Sequence, residues 1–446
     1  MPFIPNTDND RKEMLKKIGV SSFDDLIGNI PANLRLKGDL NLPPQLSEYE
    51  AFKLLESLSS LNKSAINNAC FMGGGSYDHY VPAMVTSIID RPEFRTAYTP
   101  YQAEVSQGTL QVMYEFQSMV CALTGMDVAN ASMYDGGTAI AESCLLASTH
   151  NNRKEILIAG SINPQYKKVM ETVTCGKKLV FRTIAGEDGT CDLKALASEI
   201  TDATSAVVVQ HPNVYGNLED VFEIGKIAHS KNALYISVFD PISLGMLASP
   251  GEYDADIAVA EGQSLGIPMS YGGPYLGLFT SKQQLVRKIP GRLSGVSKDA
   301  DGNRAFVLTL QTREQQIKRE KATSNICSNE GLMMLAASVY MTVMGKQGIK
   351  DVAEQSFEKA HYLAKEISRI GGFSLLNDKP FFKEFLVKTP VKAAAIIEEA
   401  AKDGILAGID TSRFKECKEG LLVAVTEKRT IEEMNKFIEV LKKFAK

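Results

Sequence analysis

The stretch from Leu234 to Thr280, LYISVFDPISLGMLASPGEYDADIAVAEGQSLGIPMSYGGPYLGLFT, limits the possible folds of this chain more than any other. It holds three short apolar runs rich in Ile, Val, Phe and Tyr, at Leu234–Phe239, Asp256–Ala260 and Leu276–Thr280. Each is too short for a core helix and is bounded by Gly, Pro or Asp, as strands buried on both faces of a parallel or mixed sheet are. Asp240 closes the first run, and Gly272-Gly273-Pro274 makes a turn before the third. Upstream, strand-like runs at Ile156–Ala159, Leu179–Thr183 and Ala206–Gln210 alternate with helical segments Pro164–Cys175, Asp192–Ile200 and Glu219–Ser230. Asn163 ahead of Pro164 is a helix-start signal. Alternation at this spacing requires right-handed crossovers, so the expected fold class is α/β, a mostly parallel sheet between helices.

Around this region the pattern divides the chain. Leu110, Met113, Phe116, Val120 and Leu123 fall on one face of a helix that Gly125 ends. Asp301-Gly302 reads as a hairpin turn. Two helices near Asn329–Met344 and Ile349–Ile370 then lead to a strand at Glu384–Lys388, a helix at Val391–Asp403, a strand at Leu421–Thr426 and a closing helix at Thr430–Phe444. The first sixty residues read as peripheral helices, opened by Thr7 or Asp8, by Ser22 and by Ser47, the second of them ended by Pro31. On the third, Tyr49, Phe52, Leu55 and Leu58 share a face suited to the chain's own large domain or to a partner. A chain of 446 residues suits two or three domains. The expected division is a helical arm over 1–62, a large α/β domain over 63–325, and linking helices with a smaller α/β domain over 326–446.

Composition excludes several classes. A net charge of −4 argues against a dedicated nucleic-acid or membrane-surface binder. The seven cysteines form no C-x-x-C pair and the five histidines are scattered, which points to free thiols in a reducing compartment and to no structural metal. The amino terminus shows no basic-then-apolar signal pattern, and Leu332–Met344 is interrupted by Ser338 and Thr342, so a soluble cytoplasmic protein is expected.

The strand that ends at Asp240, with the Gly-rich helix start Asp135-Gly136-Gly137-Thr138-Ala139 before it, resembles the core of fold-type I, aspartate-aminotransferase-like enzymes that use pyridoxal phosphate. In that family the strand-terminal Asp pairs with the pyridinium nitrogen, and a lysine shortly after the next strand forms the Schiff base. That place here reads Glu261-Gly262-Gln263-Ser264, and no lysine occurs between Lys231 and Lys282. Neither Gln263 nor Ser264 carries an amine that could form an imine. Lys282 lies beyond the turn and the following strand, on the wrong side of the architecture. The free N–H groups at Asp135–Thr138 could hold a phosphate, although a Gly-rich helix start is also an ordinary structural device. Asp240 has a bland reading as well, as an Asp-Pro turn residue.

Two loops are unlike the rest. FMGGGSYDHYVP (71–82) and TPYQAEVSQG (99–108, after Tyr98) are dense in polar aromatics and amides, with little that could build a core. Tyr77, His79, Tyr98, Tyr101, Gln102 and Glu104 could line a small polar site, Tyr and His donating to a carboxylate and Glu104 handling an ammonium group or a proton. Taken singly, each reads equally well as a loop anchor. The basic run Arg287, Lys288, Arg292, Arg304, Arg313, Lys318, Arg319 and Lys321 reads as solvated surface, or as a dock for an acidic carrier protein.

GGGSYDHYVP, TAYTPYQAEVSQG, NASMYDGGTAIAE, DPISLG, GQSLGIPMSYGGPYLG and REKATSNICSN together closely resemble the amino-terminal half of the glycine cleavage system P-protein family, and the match covers essentially the whole chain. The resemblance implies two homologous fold-type I halves, of which the second carries the pyridoxal-phosphate lysine and the first does not. Together they decarboxylate glycine and pass the aminomethyl group to the lipoyl arm of the acidic H-protein. It implies that pyridoxal phosphate is held covalently by a separate P-protein subunit 2, in an assembly of two copies of each chain. Tyr77, His79, Tyr98, Tyr101, Gln102, Glu104, Ser106 and Gln107 are then expected to line the partner's active site across the interface. Asp135, Gly136, Gly137, Thr138, Asp240, Gln263 and Ser264 would form a degenerate cofactor pocket, and Ser270, Gly272 and Gly273 would approach the partner's phosphate. Two rivals stay open: a self-sufficient pyridoxal-phosphate transferase with an unusual lysine, and a scaffold that docks H-protein through the basic 287–321 segment and adds nothing to a pocket.

Overall fold

The computed structural model describes residues 5–446. The chain separates into two compact units, one ending at Asn62 and the other running from Lys63 to Lys446. In the first unit, helices Asp8–Ile18, Phe23–Leu26 and Glu48–Ser59 each begin with a capping box, at Thr7 with Asp10, Ser22 with Asp25 and Ser47 with Glu50. These reciprocal bonds satisfy the otherwise orphaned N–H groups of each first turn. The second helix stops at Leu26, short of Pro31, because Ile27 already leaves helical geometry. No residue of these helices is buried, and Phe52 and Leu55 on the third are 63% and 65% exposed.

The second unit is built on a seven-stranded sheet. Its strands in chain order are β1 (Val128–Ala129), β2 (Glu155–Ala159), β3 (Val180–Ile184), β4 (Thr204–His211), β5 (Leu234–Phe239), β6 (Ile257–Glu261) and β7 (Gly277–Ser281), arranged β1-β7-β6-β5-β4-β2-β3. Strands β2 to β6 are parallel, whereas β7 runs antiparallel to both β6 and β1. Helices α1 (Gln107–Thr124), α2 (Gly136–Asn151), α3 (Pro164–Thr174), α4 (Leu193–Glu199) and α5 (Val221–Ser230) flank it. The pleat sends alternate residues to opposite layers. Leu157, Val207, Val209, Ala258 and Ala260 join one apolar core, with Leu110 and Phe116 of α1. Ile156, Val208, Ile257 and Val259 join the other, with Ile140 and Cys144 of α2. Both faces are therefore dry, which is why the strands read as continuous apolar runs.

Beyond the sheet, Leu293–Lys298 and Arg304–Thr309 form the hairpin turned at Asp301-Gly302, where Gly302 has φ +84°. The helix Gly331–Ile367 is broken at Gly345, whose φ of +60° and ψ of −173° are non-helical. A four-stranded antiparallel sheet follows, with Glu384–Lys388 and Leu421–Ala424 paired at its centre under a separate core around Phe71, Phe385 and Phe437. Among the described residues no helix is long and apolar enough to cross a membrane.

Candidate active-site cleft

Open parallel sheets place ligands at the carboxyl ends of their strands, and here those ends carry His211, Asp240 and Glu261. Phe239 pairs with Ala260 across β5 and β6, so the residues that follow, Asp240 and Glu261, leave the sheet as neighbours, about 5 Å apart by strand spacing. Their side chains then part.

Glu261 turns to the amino terminus of α2. One carboxylate oxygen accepts from the Gly136 N–H at 2.9 Å, and the other from the Gln263 and Leu276 N–H groups at 3.0 and 3.1 Å. Burial pushes its pKa up to about 8, and these three N–H donors pull against that rise. The approach is so close that a Cβ on Gly136 would lie 2.9 Å from the Glu261 amide nitrogen. Asp135 caps the same helix, accepting from the Thr138 N–H at 2.7 Å while the Asp135 N–H donates to Thr138 Oγ1 at 3.1 Å. Two donors of the expected phosphate cup are therefore already taken by carboxylates of this chain.

Asp240 turns the other way. One oxygen accepts from the Ile242 N–H at 2.9 Å, and the other lies 2.7 Å from Lys383 Nζ. Lys383 lies in the bend just ahead of the strand Glu384–Lys388, and its side chain is only 2% exposed. Its Nζ is also 2.9 Å from His79 Nε2 and 3.9 Å from the centre of the Tyr77 ring, a cation–π contact. An ammonium can only donate, so His79 Nε2 accepts and the ring proton sits on Nδ1, 2.6 Å from a Glu427 carboxylate oxygen. The result is a buried relay, Glu427–His79–Lys383–Asp240. Beside it the Tyr77 hydroxyl donates to Glu384 at 2.9 Å and the Gly74 N–H donates to the same carboxylate at 2.7 Å. Burial raises the Glu384 pKa to about 7.

The space left over is small. The cavity bounded by Gly75, Tyr77, Tyr166, Asp240, Ser264 and Lys383 measures about 40 Å³, room for little more than a water molecule, where organic cofactors occupy pockets of several hundred Å³. A wider groove of about 380 Å³ opens outside it, lined by Gly74, Ser76, Asp135, Glu261, Gly272 and Tyr275. Gly75, Tyr166 and Glu261 belong to both and stand between them. Pyridoxal phosphate needs a free anion site at a helix amino terminus and a carboxylate free to meet its ring nitrogen. Glu261 and Lys383 occupy the two positions, so the residues of this chain do not fit the cofactor. Lys282 is no substitute for the missing amine. It pairs with Asp254 and Asp256 at 2.7 and 2.9 Å, at the opposite end of β6.

The remaining candidate residues divide between two places. Gln263 is buried and holds the 71–82 loop, exchanging hydrogen bonds of 2.8 and 3.0 Å with the Tyr77 backbone. Ser264 Oγ is buried without a hydrogen-bond partner at the wall of the small cavity. Ser270, Gly272 and Gly273 lie in a turn with positive φ throughout. The six residues expected to gather do not stay together. Tyr77 and His79 face inward to this chain's own cleft, because Glu384 and Lys383 hold them there, while Tyr98, Tyr101, Gln102 and Glu104 are exposed. Gln107 is tied to the hairpin by paired bonds to Phe306 at 2.8 and 2.9 Å, and Ser106 adjoins it, half-buried.

The basic run is likewise not all surface. Arg292 is only 4% exposed, with no carboxylate within ion-pair distance among the described residues. It donates to the Tyr101 hydroxyl at 3.1 Å and to the Cys327 carbonyl at 2.8 Å, and its Nε is buried without a partner. Tyr98, Met113, Arg292, Asn329 and Leu335 line an adjoining cavity of about 220 Å³. Half-buried Arg313 donates to the Ile289 and Gly291 carbonyls. Arg287, Arg304, Lys318, Arg319 and Lys321 remain exposed.

Sheet order, cleft position and the small carboxyl-terminal sheet define the fold-type I architecture of pyridoxal-phosphate enzymes. The glutamate decarboxylase of Lactobacillus brevis has the same fold, with a TM-score of 0.69 at 12% identity, over 92% of this chain and 95% of that one. The family is then fixed by closer matches. The family model for the glycine cleavage system P-protein matches residues 1–441. A relative described as probable glycine dehydrogenase (decarboxylating) subunit 1, from Chloroherpeton thalassium, is 57% identical over 99% of both chains. A crystal structure described as glycine decarboxylase (P-protein) of the glycine cleavage system, in inhibitor-bound form, superposes with a TM-score of 0.90 at 39% identity, over the full length of both chains. The chain belongs to the glycine cleavage system P-protein family.

Proposed function

We propose that this chain is subunit 1 of a glycine dehydrogenase (decarboxylating), a cytoplasmic enzyme in which a second, lysine-bearing P-protein subunit holds the pyridoxal phosphate. The observation that carries the reading is the filled cleft. A member of a decarboxylase family whose own pocket is closed by Glu261 and Lys383 is suited to work on a site that another chain supplies. When bound in the partner, the cofactor provides the electron sink for loss of CO2 from glycine. This chain's share is orientation and electrostatics.

The residues suited to that share surround Arg292. Its guanidinium is desolvated, carries an unused N–H and faces a cavity bordered by exposed Tyr98. It could meet an anionic group on the partner's side, with the Tyr101 ring centre 5.3 Å from its guanidinium carbon and the Tyr101 hydroxyl accepting from it. Exposed apolar side chains along the 5–62 arm support a second chain covering them, since patches of that kind mark interfaces. The aminomethyl group passes to the lipoyl arm of an H-protein, and the assembly holds two copies of each chain.

The experiment is glycine–CO2 exchange by the two chains together. Tyr101→Phe removes the hydroxyl that accepts from Arg292 and Gln316. It is expected to lower exchange by roughly ten- to a hundredfold, the scale of a lost positioning contact, with assembly intact by size-exclusion chromatography. Unchanged exchange would remove Tyr101 and Arg292 from the shared site.

A further inference from the structure

We propose that Glu261 and Lys383 are built-in stand-ins for the phosphate and the protonated ring nitrogen of pyridoxal phosphate, keeping closed a cofactor site whose other parts this chain retains. A Gly-Gly helix start at Gly136-Gly137 lies against the carboxyl end of β6, and a strand-end carboxylate, Asp240, closes the adjacent β5. At the first, an anion binder by its dipole and free N–H groups, Glu261 supplies the acceptor oxygen and takes the same Gly136 N–H that a phosphate oxygen would use. At the second, a carboxylate suited to a cation, Lys383 supplies the cation at 2.7 Å. Each site therefore has its partner supplied internally, an acceptor at the helix start and a cation at Asp240, and each group is distant in sequence from the site it fills.

Geometry supports a latent rather than an erased site. Glu261 forms part of the wall between the inner cavity of about 40 Å³ and the outer groove of about 380 Å³. Truncating it would join the two, and removing the Lys383 ammonium would bare Asp240 to the joined space. The orphaned Ser264 hydroxyl already faces the inner part, as a polar group left where a ligand atom could reach it. Asp135 also faces the groove and sets a carboxylate beside Glu261 against any incoming phosphate. The inference stands on this chain's cleft alone and does not depend on the proposed function.

The test is equilibrium dialysis of the full-length chain, alone and assembled with its lysine-bearing partner, against pyridoxal phosphate and against inorganic phosphate. The wild-type chain alone is expected to retain neither, and the assembly to retain one pyridoxal phosphate per pair of chains. Glu261→Ala alone is expected to gain uptake of inorganic phosphate at the Gly136 amide that it frees. Glu261→Ala with Lys383→Met is expected to raise the assembly to two equivalents of pyridoxal phosphate per pair, the second not fixed to the protein by borohydride because no lysine lies beside it to form an imine. Phosphate or cofactor retained by the wild-type cleft would overturn the proposal. So would a folded double variant that stays at one equivalent. Should the double variant fail to assemble, Glu261→Ala decides, and absence of phosphate uptake by that folded variant refutes the stand-in role.

Discussion

Replacing Lys383 by Met is the substitution that most severely tests the buried relay. Met keeps the length of the stem and removes only the ammonium, leaving Asp240, whose side chain is 12% exposed, without its cation. Removing one partner of a buried pair costs about 3–5 kcal/mol. The stranded carboxylate can escape by taking a proton, which at pH 7 costs about 4 kcal/mol for an ordinary carboxyl group and at pH 5 about 1.5 kcal/mol. The loss is therefore expected near 3–4 kcal/mol at pH 7, including a smaller share for the Tyr77 cation–π contact, and to shrink by about half at pH 5. The sign follows from linkage. A carboxyl group whose folded pKa is raised makes the variant less stable as pH increases. A chain of this size is not two-state, so the assay is native-state hydrogen exchange of peptides spanning Phe239–Ile242 and Phe382–Phe385, which reads local free energy. Asp240→Asn combined with Lys383→Met removes both charges and should recover most of the loss. A loss below about 1 kcal/mol, a loss independent of pH, or additivity of the two substitutions would refute the relay as drawn.

Glu261 has its folded pKa raised from the ordinary 4.5 to about 8, so the native state holds a proton that the unfolded chain releases; stability from this group is present at low pH and lost as pH rises through that window. Glu261→Gln should flatten the fall in hydrogen-exchange protection of peptides around Gly136 and Glu261 between pH 5 and pH 8, and an unchanged slope would contradict the assignment. Gly216 has φ +81°, and a Cβ there would stand 1.7 Å from the Glu384 carbonyl oxygen, a backbone atom that cannot swing aside. Gly216→Ala should lower stability by more than about 3 kcal/mol or abolish folding, and a variant with a near-native melting point would be inconsistent with this packing. His79→Ala opens the relay from the inside, so it should expose the amides around Lys383 to exchange at least as much as it lowers activity; a pure activity loss would return His79 to the partner's site.

Much of the fold was legible because buried strands advertise themselves. Leu234–Phe239 and Glu384–Lys388 run as read, and most of the other long elements fall within a few residues of their expected bounds. Direction was not legible. A strand dry on both faces has the same composition whichever way it runs, so nothing in Leu276–Thr280 marked β7 as antiparallel. At the site, the missing lysine and Asp240 were plain in the sequence, since an absence over a long interval and a strand-end carboxylate are both local features. Lys383 was hidden by distance, because nothing local ties residue 383 to residue 240. Its one signal was a Lys-Glu pair inside the aromatic run Phe381-Phe382-Lys383-Glu384-Phe385, two charges where a buried strand has no cheap place for them. Glu261 was in view but read as part of the empty lysine position, when its neighbour across the sheet and the helix start beyond it were what mattered. Closeness in sequence misled in the loops, where Tyr77 and His79 face one site and Tyr98 and Tyr101 another.

The most direct test of the central claim is to reduce the pyridoxal-phosphate complex of the two chains with borohydride and locate the adduct by peptide mass spectrometry, while following glycine–CO2 exchange. The account predicts an adduct on a lysine of the partner only, and exchange only when both chains are present. An adduct on Lys383 or any other lysine of this chain, with exchange by this chain alone, would contradict it.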